Sequence, residues 1–110
     1  MITHQLKKRL IAAFSVAALA AIGHAHASEE IAKQNGCLGC HAIGEKVMGP
    51  SFKEVAKKYA GQEGAALKVA ETIRKGGTGT WGKIPMPAQE HINADTAQSL
   101  ATWVLATKTQ

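Results

Sequence analysis

The chain is poor in what small proteins ordinarily use to hold themselves together. Its 110 residues include two cysteines, two tryptophans, one tyrosine and two phenylalanines. Cys37 and Cys40 stand too close in sequence to staple distant segments, so a disulfide framework is excluded. No apolar run reaches the ~20 residues that a membrane-spanning helix needs. The longest, Leu10 to Ile22, falls well short. The cations neither cluster nor alternate with aromatics, as a nucleic-acid surface would require. There is no internal repeat, no low-complexity segment and little strand signal.

What is present begins with a targeting pattern. Lys7-Lys8-Arg9 precedes the apolar run, which is broken at Gly23 and followed by Ala25-His26-Ala27. A basic start, a short apolar centre and small residues at the −3 and −1 positions describe a secretory signal peptide over residues 1–27, cleaved after Ala27. The remaining domain, 28–110, has 83 residues, and its ten basic against eight acidic side chains leave a formal charge of +2. The basic character of the precursor is therefore partly a property of the leader. A domain of this size has a marginal core and often needs a covalent or metal staple. Rich in alanine and short of large apolar side chains, this one needs something else at its centre.

Four helices are predicted, giving an all-α fold. The first runs from Ser28, as cap, to about Asn35, where Gly36 closes it. The second starts at Ser51, where Ser51-Phe52-Lys53-Glu54 reads as a capping box, and ends near Tyr59. The third covers Ala65 to Lys75, with Leu67, Ala70 and Ile73 as its inner stripe, and stops at Gly76-Gly77. The fourth runs from Asn93 to about Thr107 with Ala97, Leu100, Ala101 and Val104 inward and Trp103 at the border of the stripe. Between the last two lies a long loop, Gly76 to Pro87. It has too much glycine and proline for a helix and is long enough to suggest a functional role.

The chemistry sits in Cys37-Leu38-Gly39-Cys40-His41, the C-x-x-C-H signature of covalent haem attachment. Two thiols on one turn can each form a thioether with one of the two vinyl groups of haem, and the adjacent His41 then faces the iron. Gly36 and Gly39 keep side chains away from the porphyrin. A thioredoxin-like reading would need a βαβ context, and a zinc site would need two more ligands. A plain disulfide would leave His41 and the thin core unexplained. For a second axial ligand Met86 is the leading candidate, because Pro85 and Pro87 stiffen the chain on either side of it. Met48 and His91 are the alternatives in the processed chain.

In these stretches, and in Met48-Gly49-Pro50, Trp81 to Pro87 and Leu100 to Leu105, the sequence resembles the short bacterial class I cytochromes c of the cytochrome c-551 kind. The resemblance covers the whole of 28–110 and implies a compact wrap of about four helices around one haem c, held by two thioethers. It implies His41 and Met86 as iron ligands, and a Pro50 carbonyl accepting from the other nitrogen of His41. It places the Trp81 indole on a haem propionate. It further implies a periplasmic, monomeric one-electron carrier that is not an enzyme. Such a carrier works with transient redox protein partners, for instance nitrite reductase, a terminal oxidase or a peroxidase, and needs neither nucleic acid nor, once processed, a membrane. Two positions depart from the family. Thr72 stands where an Arg often faces the propionates, with Arg74 the nearby cation to replace it, and Gln89 stands in place of an Asn that bonds the axial sulfur.

Overall fold

The computed structural model describes residues 24–107, and residues 1–23 of the expected signal peptide lie outside that span. Four α-helices make the described chain: α1 His24–Gln34, α2 Phe52–Lys58, α3 Ala65–Lys75 and α4 Ala94–Ala106, with a 3-10 turn at Cys37–Gly39. The strand-like element among the described residues is a single antiparallel bridge between Gly77 and Met86. No described helix is long and apolar enough to cross a membrane.

Local chemistry sets the boundaries. The Ser51 hydroxyl accepts from the Glu54 N–H at 3.0 Å, and the Glu54 carboxylate accepts from the Ser51 N–H at 2.9 Å. Both partners of this capping box thereby satisfy N–H groups that the first turn of α2 would otherwise leave bare. Asn93 caps α4 in the same way, its Oδ1 accepting from the Thr96 N–H at 2.8 Å. Gly76 ends α3 at φ 78°, a conformation that side chains with a Cβ rarely adopt.

One expected boundary moves. α1 begins at His24, so Ser28 lies inside the helix rather than capping it. The residues before Ser28 alternate His with Ala, which continues a helix readily.

α4 is the central helix and packs against each of the other three. Ala97, Leu100, Ala101 and Val104 are buried as its spacing predicts. With Ala32 of α1 also 1% exposed, small side chains let the first and last helices lie close. Two expectations about the core fail. Leu67 is 69% exposed and Val69 is buried in its stead, while Ala70 is buried as expected and Ile73 is half-buried. At about 100° per residue, Leu67 lies about 110° round the helix from the centre of that face. Trp103 is buried rather than at a border, with its ring edge-to-face on Phe52 at 5.2 Å.

Candidate functional site

Gly36, at φ 77°, turns the chain out of α1 into the Cys37–Gly39 turn. Two N–H groups, those of Cys40 and His41, then converge on the Cys37 carbonyl at 3.3 and 3.0 Å. This places both thiols and the His41 ring on one wall of a cleft of about 260 Å³. The thiols are not joined to each other. Burial pushes the Cys37 thiol above its ordinary pKa, with its backbone hydrogen bond opposing. It thus stays uncharged against an apolar wall.

His41 is held from three sides. Its Nδ1 lies 2.8 Å from the Pro50 carbonyl oxygen. A carbonyl only accepts, so Nδ1 carries the hydrogen of this contact, and Nε2 is the nitrogen left to serve as a ligand. The ring stacks on Phe52, with centroids 5.3 Å apart and planes inclined by 23°. Against a third side lies Gly49, where an added Cβ would stand 2.5 Å from the ring. The N–H of Gly49 in turn donates to the Cys40 carbonyl at 2.8 Å, tying this segment to the thiol turn.

Met86, in the long loop, also lines the cleft. Gly77 and Met86 exchange N–H···O bonds of 3.1 and 2.8 Å, closing the stem of the long loop. Gly76 is required here for space as well as for φ, since a Cβ would approach the Met86 carbonyl oxygen to 2.6 Å. Trp81 stands at the tip of the loop, 39% exposed, with Lys58 Nζ 5.3 Å from its ring centroid.

The structure thus brings Cys37, Cys40, His41, Pro50, Trp81 and Met86 to one cleft. Of the alternatives to Met86, His91 is exposed and does not belong to the cleft lining. Met48 does line the cleft, but its sulfur lies 4.0 Å from Cys40 Sγ, on the same wall as the thiols. The sequence leaves open whether Arg74 replaces the family's propionate-facing Arg. Arg74 borders a separate groove between α3 and α4, with Leu67 and Glu71, whereas Thr72 borders the cleft. The Gln89 amide lines the cleft and donates to the Pro87 carbonyl at 2.9 Å. Sequence reasoning missed Gly49, Phe52 and Lys58, each of which acts across segments. For the first two a signal existed, since Gly49 and Phe52 flank the Pro50-Ser51 step beside the motif.

These residues fit haem c. The cleft is lined mainly by apolar side chains such as Val55, Val69, Ile73 and Leu100, with two free thiols and an oriented imidazole on one wall. Adding each S–H across a vinyl group makes one C–S and one C–H bond, with no electrons lost.

The cytochrome c family profile matches residues 25–108. Cytochrome c-551 of Azotobacter vinelandii is 54% identical over 80 residues, which cover 73% of this chain and 96% of that protein. Cytochrome c-552 of Nitrosomonas europaea is 39% identical over 103 residues, covering 94% of this chain and all of the other. The crystal structure of wild-type Nitrosomonas europaea cytochrome c552 superposes with a TM-score of 0.72 at 41% identity, over 73% of this chain and 99% of that one.

Proposed function

The chain belongs to the cytochrome c family, with one covalent haem c joined to Cys37 and Cys40, and from that premise we propose that it is a periplasmic, monomeric carrier whose iron is ligated by His41 and Met86. Members of the family carry electrons between redox proteins, and haem supplies the one-electron Fe(III)/Fe(II) couple when bound. The rest is the work of this chain's residues.

The observation that carries the reading is the pairing of His41 with Pro50. With Nδ1–H donated to that carbonyl at 2.8 Å, the imidazole is fixed as the tautomer whose Nε2 can bind a metal, and its basicity is raised. Met86 lies in the long loop that lines the same cleft, where Pro85 and Pro87 reduce the ordering cost of presenting the sulfur. Trp81 lines the cleft as well, and its indole N–H would hold a propionate of the bound haem. Two protein ligands leave no coordination site for a substrate, so the assignment is to electron transfer rather than catalysis. Met48, Trp81 and Ile84 line the cleft and also reach solvent. Together with a small positive charge on residues 28–110, they suit brief docking of an acidic, partly apolar redox protein.

The test is a spectroscopic redox titration of purified holoprotein. A single one-electron step is expected, with low-spin iron in both states and a thioether-to-iron absorption band in the ferric form. Acid–acetone should leave the haem on the chain. High-spin iron or bis-imidazole spectra would refute the ligand pair.

A further inference from the structure

The loop that carries Met86 is fastened firmly at one end only. At its stem the Gly76 N–H donates to Thr72 at 2.8 Å, the Gln89 N–H donates to Ile73 at 3.0 Å, and Gly77 pairs with Met86. All of these bonds tie the loop to α3 or to itself. Beyond the stem every residue from Thr78 to Pro85 is exposed, and the chain turns back with a Gly79 N–H to Gly82 bond of 3.2 Å. At that turn Trp81 meets Lys58, the last residue of α2. The separation of 5.3 Å is within the ~6 Å over which a cation is attracted to an aromatic face. α2 is also the helix whose first residue, Phe52, backs the His41 ring. A single short helix therefore supports His41 at one end and touches the loop carrying Met86 at the other.

We propose that Lys58 is a positioning residue that holds Trp81 against α2 and so keeps the Gly76–Pro87 loop closed over the cleft. The inference rests on Met86 being an iron ligand. Release of the sulfur then requires the loop to open, and the Lys58–Trp81 contact is broken in that opening. A cation–π contact at an exposed site is worth about a two- to five-fold change in an equilibrium constant. The open fraction should rise by that factor when the contact is removed. A small external ligand binds the open form alone, so its apparent affinity tracks the open fraction.

The experiment measures cyanide affinity and the thioether-to-iron band in ferric holoprotein. Four proteins are compared: wild type, Lys58→Gln, Lys58→Arg and Lys57→Gln. Lys58→Gln should bind cyanide about two- to five-fold more tightly. Lys58→Arg, which keeps a cation over the ring, should match wild type. Lys57→Gln removes the same charge from the neighbouring exposed position and should bind no more tightly than wild type. The sign discriminates, because losing a cation by itself weakens attraction for an anion. In a Trp81→Leu background, Lys58→Gln should have no further effect. Equal affinities in Lys58→Gln and wild type, or equal tightening in Lys57→Gln, would overturn the proposal even if Trp81→Leu gave no holoprotein. A wild-type protein without the thioether band would instead refute Met86 ligation, and the role of Lys58 with it. A band present in all four proteins with identical cyanide affinities would refute Lys58 alone.

Discussion

At the scale of single residues, the site depends on how little room His41 has. Its ring lies between the Pro50 carbonyl, the Phe52 face and the Gly49 backbone. A methyl group at Gly49 would meet the ring at 2.5 Å, and neither Phe52 nor the 2.8 Å bond to Pro50 can yield without loss. Overpacking of this kind costs about 1–3 kcal/mol. Gly49→Ala should therefore lower the melting temperature of the holoprotein by at least about 4 °C, measured calorimetrically. It should also shift the reduction potential, because a tilted imidazole is a poorer ligand. The cysteine pair, His41 and the Pro-Met-Pro triplet were legible because each is a local pattern with its own chemical reason. Gly49 was legible only as a neighbour of Pro50, and Lys58 was not legible at all. Their importance arises from close approach between segments, which spacing along a chain does not encode.

Helices show the same division. The capping box of α2 and the glycine stop of α3 were legible, since a helix end must satisfy its N–H and C=O groups from nearby residues. Ser51→Ala removes one such partner at a residue that is 1% exposed. It should cost about 1 kcal/mol, or about 4–8 °C in melting temperature. One position on the inner face of α3 was misread, because Leu67 and Val69 both fall near helical spacing and the larger side chain attracts the reading. Packing decides otherwise: Val69 borders the cleft and Leu67 faces solvent. In denaturant unfolding, Val69→Ala should destabilise by about 1–3 kcal/mol. Leu67→Gln should change stability by less than about 0.5 kcal/mol. The reverse order would show that the sequence-based stripe was the correct one. Trp103 was misjudged for a related reason. The periodicity of α4 defines a direction, and the depth of the wall behind His41 and Phe52 is a property of the assembled fold.

For the whole molecule, the thin core and the cleft are one fact. The helices bury several alanines around α4 and border a cavity of about 260 Å³, in which Cys37 and Cys40 would hold the haem c that supplies the missing apolar bulk. The proposed signal peptide over residues 1–27 is tested at the same scale. Intact mass of protein from the periplasm should correspond to Ser28–Gln110 plus one haem, and retention of residues 1–27 would mean a tethered carrier. The central claim is that this fold holds iron between His41 and Met86. If a thioether prefers ferrous over ferric iron by ~100-fold, ligation raises the potential by about 120 mV, at about 59 mV per tenfold for one electron. The direct measurement is the reduction potential of the Met86→Ala holoprotein, with cyanide binding followed in parallel. The potential should fall by about 120 mV and the ferric iron should become open to cyanide, while the haem stays covalently attached. An unchanged potential with unchanged cyanide binding would contradict Met86 ligation and leave the Gly76–Pro87 loop without the role assigned to it.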